Sequence, residues 1–584
     1  MSLLTLVLAS FLGVGALRIS YWSYCLLGNY LTARRMGVPV CLLPFDHTHR
    51  LWSIVDTKLL PFFNLLPFAT RTSFSRYNWR GWEITDRYRA HHELGGVFAM
   101  VSPSRIWLYI GEPDAAAEVL RRGADFPRCS QLTEMLNVFG PNISTVEPSR
   151  WKVQRKIMSA CFNEPNNEIV WSESLVLATD MLRYWAPKPS VNTVAEDMRT
   201  LSLHVLSRAG FGKSFKFQGH DERKASGSTS YKDSLQTILE NCILILVLGP
   251  KFLAKPWLPR RVGNLQLGQV HQACVAFQQY MTDMYEEGKL AYSGPPSQTT
   301  TKTGSPFMTS LVHASQEEAK ASGGLTESEI YGNMFVLNFA GHDTITHTLT
   351  FAIYFMAANP TVQDWISEEL HRVLGSRSSA EWSYKADFPR LRRCLSVLLE
   401  TLRLYNPVPL AKWTDAKTVS LRVGDQMILI PPKTMVALSY SSLQTDPNYW
   451  SDDSLVWRPS RWIRIQNDSG QASANNDANP PSTSPDQQQE EKEEIITPKR
   501  GTFLPWSDGI RDCPGRKFSQ IEFVATMACL FRDWRVEPAF ISKGESRDDA
   551  RKRVLHQIKT DSAPVLLLQM LHPERSPLVW SRRQ

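Results

Sequence analysis

The sequence lacks the cysteine pattern of a protein built on disulfides or structural zinc. Its nine cysteines are an odd number at irregular spacings, and none forms a CxxC pair. This pattern argues against both kinds of framework, so we expect most of the chain in a reducing compartment. The Asn-x-Ser sequons at Asn142 and Asn467 would be idle in the cytosol, and the sequence leaves their glycosylation open.

Long basic tracts, interdomain linkers and internal repeats are also missing. The net charge of +8 is small for 584 residues, and the basic residues are dispersed, which argues against a nucleic-acid partner. The composition, 43% hydrophobic and 21% charged, is that of a globular chain. Because no Pro/Gly/Ser-rich linker separates pattern-rich halves, we expect one large domain.

The N-terminal segment has almost no charge. Residues 1–33 contain only Arg18, and an arginine pair at 34–35 follows the apolar part. A cleaved signal peptide would carry positive charge before its apolar run, so we expect a retained membrane anchor. The positive-inside rule then predicts a single-pass protein with residues 34–584 in the cytosol. Arg18 leaves two geometries open, a span over 2–17 followed by an interfacial helix, or one longer tilted helix.

Amphipathic helical patterns dominate from about residue 113 onward, and strand-like runs are short. We therefore predict a mainly α fold with small β-sheets, in a single large domain over residues 34–584. Residues 466–499 are polar and of low complexity. Such a segment buries too little apolar area to offset the entropy of ordering, so we predict a disordered surface insertion there.

The stretch WSDGIRDCPG gives one cysteine an unusual setting. Gly509 and Gly515 flank Cys513, and Arg511 precedes it by two residues. The glycines allow the backbone to approach a flat ligand, and the helical pattern that follows, with Pro514 in its first turn, would place the thiol at a helix N-terminus. Positive charge favours the thiolate, and a thiolate held in this way is a good axial ligand for haem iron. A lone cysteine is more often a buried structural residue.

This stretch resembles the haem-binding loop of the cytochrome P450 family, FxxGxRxCxG, with Trp506 in place of the usual Phe. Flanking segments resemble fungal microsomal P450s in particular. The resemblance implies the P450 fold and a haem b whose iron is bound by the Cys513 thiolate. It also implies cofactor contacts from Arg511, Trp506, Gly509 and Gly515.

The segment 329–360 is apolar nearly all round and ends in Asn-Pro, which predicts a buried helix. Gly341 costs about 1 kcal/mol there relative to Ala, so we expect a neighbour that needs its missing side chain. Thr344 can donate back to the carbonyl of Ala340 and open the helix. The family resemblance implies that Asp343 and Thr344 relay protons to bound dioxygen. The alternative is an ordinary, satisfied core pair.

Two further motifs occur in the order found in the family. Glu400 and Arg403 form an ExxR pair on one helix face, and WRPSRW downstream resembles the family's PERF region. The resemblance implies that Arg461 completes a Glu-Arg-Arg network that holds the core in shape. Trp151 and Arg155, four residues apart, match the family's WxxxR pair, which implies a contact with a haem propionate.

These motifs predict a haem-thiolate monooxygenase that inserts one oxygen atom from O2 into a hydrophobic small molecule. The resemblance places it in fungal secondary-metabolite biosynthesis, acting on a terpenoid, polyketide, alkaloid or lipid at the endoplasmic reticulum membrane. The chain has no GxGxxG fingerprint or flavin module, so electrons would come from NADPH through NADPH-cytochrome P450 reductase. Lys156, Arg516 and Lys517 could meet its acidic surface.

Two alternatives stay open. The first is an isomerase or dehydratase of the same fold that does not use O2, against which the Asp343–Thr344 pair argues. The second is a membrane-tethered ligand-binding protein without enzymatic activity, whose cysteine is structural. No motif specifies the substrate, the position oxidised or the number of oxidation steps.

Overall fold

A computed structural model gives the fold of the chain. It describes residues 3–583 except the following ranges: 50–51, 53–55, 57–58, 60–71, 160–161, 222–230, 242–243, 246–247, 254, 262–265, 294–305, 319–323 and 466–492. Asn467 and the greater part of the predicted insertion lie outside the described residues.

Helices dominate the described residues. In chain order they are α1 (Leu3–Arg34), α2 (Ser73–Tyr77), α3 (Trp82–Asp86), α4 (Arg89–Leu94), α5 (Pro113–Arg121), α6 (Ser130–Thr133), α7 (Pro148–Ser159), α8 (Glu164–Trp185), α9 (Val194–Phe211), α10 (Tyr231–Glu240), α11 (Pro250–Leu253), α12 (Leu267–Ser293), α13 (Pro306–Glu318), α14 (Glu327–Ala358), α15 (Pro360–Leu374), α16 (Tyr384–Asp387), α17 (Arg392–Leu404), α18 (Tyr440–Leu443), α19 (Pro447–Trp450), α20 (Arg516–Phe531) and α21 (Arg547–Thr560).

The strands are short. They are β1 (Val40–Leu42), β2 (Val97–Val101), β3 (Ile106–Ile110), β4 (Leu410–Trp413), β5 (Val419–Val423), β6 (Gln426–Ile430), β7 (Met435–Leu438), β8 (Ile463–Ile465), β9 (Glu493–Ile495), β10 (Trp534–Pro538), β11 (Ser562–Pro564), β12 (Leu568–Met570) and β13 (Leu578–Arg582). The prediction of a mainly α fold with small sheets is confirmed.

The chain forms two compact units, each assembled from separated stretches. The strand-rich unit comprises Met1–Ser130, Val408–Val456 and Pro498–Cys513, and the helical unit comprises Gln131–Pro407, Trp457–Thr497 and Pro514–Gln584. Because each unit is assembled from three separated stretches, no single linker joins the two units, as expected from a sequence without an interdomain linker.

A mixed five-stranded sheet organises the strand-rich unit. Its order is β1-β2-β3-β7-β4, with β1–β2 and β3–β7 parallel and the other two pairs antiparallel. Every residue of β2 and β3 is buried, which explains why these strands read as continuous apolar runs rather than alternating ones. The strands β5 and β6 form a separate hairpin.

The long helix α14 lies in the core of the helical unit. Thr326 and Glu329 form a capping box at its start, and it ends where Asn359 precedes Pro360. It is buried on nearly all sides and packs against α9, α17 and α21. The buried helix predicted at 329–360 is present, two residues earlier in the chain.

Helix α1 is one continuous helix, not a short helix followed by a second one. Its C-terminal end is fixed in the strand-rich unit, because Asn29 Nδ2 donates to the carbonyls of Ser102 (2.9 Å) and Pro103 (3.1 Å) and Ala33 is fully buried. Among the described residues, no helix combines the length and the hydropathy needed to cross a membrane.

The predicted disordered insertion is wrong at its C-terminal end. Residues 493–499 are described, and β9 pairs antiparallel with β8. The physical reason is Glu493, which is buried and accepts from Arg393 Nη2 at 2.6 Å and Nε at 3.1 Å. Such a pair orders a segment that its polar composition alone would leave unfolded.

The sequon at Asn142 is buried within the helical unit. Its side chain is fully shielded from solvent, and Nδ2 donates to the carbonyls of Leu136 (2.9 Å) and Gly140 (3.3 Å). Its Oδ1 accepts from the amide of Ser144 at 3.0 Å. The nitrogen that would carry a glycan is therefore inaccessible in the folded protein.

Candidate active site

The loop around Cys513 has a shape that depends on Gly509. The cysteine is exposed, and its amide donates to the carbonyl of Trp506 at 2.8 Å. Gly509 has φ +76°, and a Cβ there would lie 2.7 Å from the carbonyl oxygen of Leu120. Any other residue would strain this turn. The Asp508 carboxylate accepts from the Gly509 amide at 2.7 Å and stabilises the same turn.

The helix that follows starts later than the sequence predicts. Helix α20 begins at Arg516, with Gly515 as its N-cap, so Pro514 lies before the first turn and not in it. Gly515 has φ −81°, which any residue adopts, so this glycine is not required by its backbone conformation. The prediction that Pro514 lies in the first turn is therefore wrong, and Cys513 lies two residues before the N-cap of this helix.

Positive charge is concentrated around Lys412 in the strand-rich unit. Lys412 is buried, and burial lowers its pKa to about 8, with further lowering by the charges of Arg128 and Arg511. A buried ammonium group near two guanidinium groups is a costly arrangement that a bound anion would neutralise. The two propionates of a haem are such anions, and the thiol of Cys513 is a suitable iron ligand. These residues fit the cofactor that the loop motif implies.

In the helical unit the structure brings Glu400, Arg403 and Arg461 together. Glu400 accepts from Arg403 Nε at 2.8 Å and Nη2 at 2.9 Å, and from Arg461 Nε at 3.1 Å. The backbone amide of Arg458 (2.8 Å) and the indole of Trp462 (3.0 Å) also donate to it. Glu400 is fully buried, so these five hydrogen bonds compensate the cost of placing its charge in the core.

Asp343 lies close to the side chains of Arg199 and His347. Arg199 Nε on α9 lies 3.3 Å from Oδ1, and His347 Nε2, one turn further along α14, lies 3.4 Å from Oδ2. Burial would raise the pKa of the Asp343 carboxyl, but His347 and then Arg199 outweigh it and hold that pKa far below its usual range. Glu196 shares Arg199, with an Nη1 to Oε2 distance of 3.1 Å.

Thr344 makes the hydrogen bond that its position predicts. Its hydroxyl donates to the carbonyl of Ala340 at 2.9 Å, and α14 continues without interruption through this point. Gly341 packs against α9, where an added Cβ would lie 3.1 Å from two methyl groups of Leu206. The missing side chain is therefore explained by helix packing.

Trp151 and Arg155 lie one turn apart on α7. Trp151 is buried and Arg155 is half-buried.

Sequence reasoning missed Arg199 and His347 as partners of Asp343. The spacing of four residues could have indicated His347. Arg199 precedes Asp343 by 144 residues on another helix, and no local pattern marks it.

Comparison with known proteins gives a consistent result. The sequence model of the family described as cytochrome P450 matches residues 81–562. A cytochrome P450 monooxygenase of Arthrobotrys oligospora is 27% identical over 559 residues, which is 91% of each chain. The phomenoic acid biosynthesis cluster cytochrome P450 monooxygenase of Leptosphaeria maculans is 28% identical, covering 89% of this chain and 90% of its own. The cytochrome P450 monooxygenase ORF6 of Penicillium roqueforti is 25% identical, covering 91% and 92%.

The family match runs through both compact units and includes the cysteine loop, the Glu400 network and the Asp343–Thr344 pair. Membership of this family implies a haem bound through a cysteine thiolate, a small-molecule substrate, O2 and a redox partner. The chain belongs to the cytochrome P450 family, and its enzyme class is that of a P450 monooxygenase.

Proposed function

We propose that this protein uses Cys513 as the thiolate ligand of haem b and inserts one oxygen atom of O2 into a hydrophobic small molecule. The other oxygen atom leaves as water, with two electrons and two protons supplied for each turnover. The observation that carries the proposal is the conformation of the Cys513 loop. The hydrogen bond from the Cys513 amide to the Trp506 carbonyl and the positive φ of Gly509 stabilise that conformation. The buried, positively charged surroundings of Lys412 in the same unit support it.

Bound haem supplies the activation of oxygen and the one-electron steps. We assign Arg511 and Lys412 to the propionate carboxylates by the chemistry of their side chains. Trp151 and Arg155 are assigned a propionate contact by the family's WxxxR pair, which they match. Trp506, Gly509 and Gly515 shape the loop beside the ring. The assignment of Lys412 follows from its buried charge, and the other assignments follow from the family motifs that these residues match.

Asp343 and Thr344 on α14 are the residues that we assign to proton delivery. Thr344 donates its own hydrogen to the carbonyl of Ala340, which leaves its oxygen lone pairs able to accept a hydrogen bond from water. Asp343 stays ionised at neutral pH, because Arg199 and His347 stabilise its charge. We assign the pair to the proton path, because the Asp343 carboxylate and the Thr344 hydroxyl oxygen can accept hydrogen bonds from water molecules along which protons move.

Electrons come from NADPH through NADPH-cytochrome P450 reductase. Lys156 and Arg516 are exposed in the helical unit, and Lys517 lies with its ammonium group 4.4 Å from the centre of the Phe388 ring. The contact between Phe162 and Phe518, with ring centroids 6.4 Å apart, places the end of α7 near the start of α20. This basic surface suits the acidic face of a flavoprotein donor.

We propose helix α1 as a single-pass anchor in the endoplasmic reticulum membrane, with the remainder of the chain in the cytosol. Its exposed apolar side chains support this proposal, since its hydropathy by itself does not mark it as a span. Its apolar side chains at Leu12, Leu17 and Ile19 are each more than 60% exposed, whereas its last turns are packed against the protein. Exposed apolar side chains of this kind support the proposed membrane contact. The substrate class we propose, a terpenoid, polyketide, alkaloid or lipid of fungal secondary metabolism, is supported by the name of the Leptosphaeria relative.

Carbon-monoxide difference spectroscopy of the reduced, full-length protein tests the proposal. We expect the long-wavelength band of a thiolate-ligated haem, lost in the Cys513→Ala variant and retained in Cys529→Ala. Persistence of the band in Cys513→Ala would show that another residue binds the iron. Oxygen uptake driven by NADPH and reductase then separates a monooxygenase from an isomerase or dehydratase that consumes no O2.

A further inference from the structure

The helical unit contains a cavity of about 350 Å³ between the β10–β13 ladder, the start of α21 and the loop that joins α8 to α9. Its volume lies within the range of small-molecule pockets, about 300 to 1,000 Å³. None of the residues that line it is among those assigned above to the haem, to proton delivery or to the Glu400 network. The cavity is therefore a feature that the proposed function leaves unused.

Hydrogen bonds fix the segment that forms one wall of the cavity. The carbonyl of Ala539 accepts from Arg553 Nη2 at 2.7 Å. Glu545 accepts from Arg553 Nε at 2.8 Å and from the amide of Ile541 at 2.9 Å. Phe540 lies between these two bonded residues, so its backbone is held on both sides. A wall that is already in place loses little conformational entropy when a ligand binds.

One side of the cavity is apolar. Pro189 from the loop, Pro538 from β10 and Val579 from β13 line it together with Phe540. The ring of Phe540 is 58% exposed, so much of its surface is available to a ligand. Aromatic rings gain attraction from a second ring in addition to the burial of apolar area. This side therefore suits a hydrophobic body, and an aromatic one in particular.

The other side of the cavity carries an excess of positive charge. Two arginines and one glutamate line it, which leaves a net charge of +1. Glu537 Oε1 accepts from Arg551 Nη2 at 3.3 Å, whereas its Oε2 lies 3.9 Å from Arg547 Nε, beyond hydrogen-bond length. The guanidinium group of Arg547 is 71% exposed and can turn towards an anion.

Arg551 keeps one donor without a partner. Its Nη1 donates to Asp548 at 3.2 Å and its Nη2 to Glu537, so both ends of its fork are used. Its Nε is buried and has no hydrogen-bond partner among the described residues. A buried donor of this kind costs free energy, and an acceptor bound in the cavity would recover it.

We propose that this cavity binds an amphipathic monoanion, defined here as a small molecule with an aromatic or aliphatic body and one carboxylate. The carboxylate would accept hydrogen bonds from Arg547 and from Arg551 Nε, because guanidinium groups match carboxylates in geometry and charge. The body would lie against Phe540 and the two prolines. The net charge of the lining selects one negative charge, since Glu537 repels a second. This site goes beyond the proposed function, because haem and oxygen have no part in it.

Isothermal titration calorimetry of the full-length holoprotein tests the proposal. The protein is first saturated with clotrimazole, an azole that ligates haem iron, so that the haem site is occupied. We expect one equivalent of 4-phenylbutyrate to bind, and the uncharged 4-phenylbutanamide to bind at least about tenfold more weakly. Inorganic phosphate, which has charge but no apolar body, should also bind at least about tenfold more weakly.

Variants locate the binding site. Arg547→Gln should weaken the binding of 4-phenylbutyrate about tenfold, and Arg551→Gln should weaken it by a similar factor. Phe540→Ser should weaken it about fivefold through lost apolar contact. Arg464→Gln is the matched control, because it removes the same charge from an exposed position on β8 of the same unit. Its affinity should stay within about twofold of the parent.

Failure of 4-phenylbutyrate to bind the clotrimazole-saturated parent would overturn the proposal. Equal affinities for the acid and its amide, or equal losses in Arg547→Gln and Arg464→Gln, would refute the role of the arginines. An unchanged affinity in Phe540→Ser would refute the apolar wall. If Arg551→Gln does not fold, Arg547→Gln decides, because its side chain is largely exposed. A failure of the proposed function would appear in the carbon-monoxide spectrum and not in this comparison of variants.

Discussion

The carboxylate of Glu400 accepts five hydrogen bonds in the core of the helical unit. These hydrogen bonds offset the free-energy cost of burying its charge. We predict that Glu400→Gln lowers the free energy of unfolding by about 3 to 5 kcal/mol, because two buried guanidinium groups lose their counter-charge. Urea unfolding together with haem content measures the effect. In Glu118→Gln, which removes an ion pair to Arg122 at 2.7 Å with both side chains more than 20% exposed, the loss should stay below about 1 kcal/mol. Equal losses in the two variants would show that the Glu400 network is not special.

Glu522 is the opposite case, a buried carboxyl whose charge would be poorly compensated. It is fully buried on α20, and burial raises its pKa to about 8 against a smaller lowering by the Ser202 hydroxyl. The unfolded chain releases this proton near pH 4.5, so the native protein loses stability as the pH rises from there to about 8.

We therefore predict that Glu522→Gln stabilises the protein, by an amount that grows with pH. The gain should be below about 1 kcal/mol at pH 5 and about 3.5 kcal/mol at pH 7, from about 1.4 kcal/mol for each pH unit above the unfolded pKa. Urea unfolding at pH 5, 6.5 and 8 measures it. A gain independent of pH would mean that Glu522 is not protonated in the folded state.

At the scale of elements, α14 combines two demands in one continuous helix. Gly341 lets the helix pack closely against Leu206 of α9. Three residues later, the Thr344 hydroxyl donates a hydrogen bond to the carbonyl of Ala340. The packing explains a glycine that helix propensity disfavours. The helix thereby brings Asp343 to Arg199 without any break in its backbone bonds.

Helix α1 is divided between an exposed and a packed part, which makes the anchor testable. We predict that deletion of residues 2–25 releases the protein from carbonate-washed membranes with its carbon-monoxide spectrum intact, because Asn29 and Ala33 remain. Asn29→Ala keeps every apolar residue and should stay in the pellet. Retention of the shortened protein in the washed pellet would argue that another segment holds it there.

At the scale of the whole molecule, the net charge of +8 is distributed over 584 residues. A local cluster of basic side chains can therefore determine the rate at which an acidic partner associates. We predict that combining Lys156→Glu and Arg516→Glu raises the KM for NADPH-cytochrome P450 reductase about tenfold at low salt. The dependence of the rate on ionic strength should flatten, with the carbon-monoxide spectrum unchanged. Lys552→Glu, on an exposed position of α21, is the control. A KM that does not change would place the docking surface elsewhere.

The sequence carried the order of the motifs and the class of fold, because Cys513, Glu400 and Thr344 sit in patterns that are local along the chain. It could not supply contacts between distant segments. Arg199 reaches Asp343 from another helix, and Glu493 orders the end of a polar segment through Arg393, a hundred residues earlier. The start of α20 at Arg516 depends on turn geometry that composition does not encode.

The enclosed side-chain amide of Asn142 also has a consequence for the side of the membrane on which the chain can fold. Glycosyltransferases of the secretory lumen act on nascent, unfolded polypeptide, and an oligosaccharide attached there could never be accommodated among the Leu136 and Gly140 carbonyls. If α1 anchors the chain as proposed, a copy inserted with the opposite orientation would expose Asn142 to these enzymes before it folds. An attached sugar would then prevent the contacts that the Asn142 side chain makes in the folded protein.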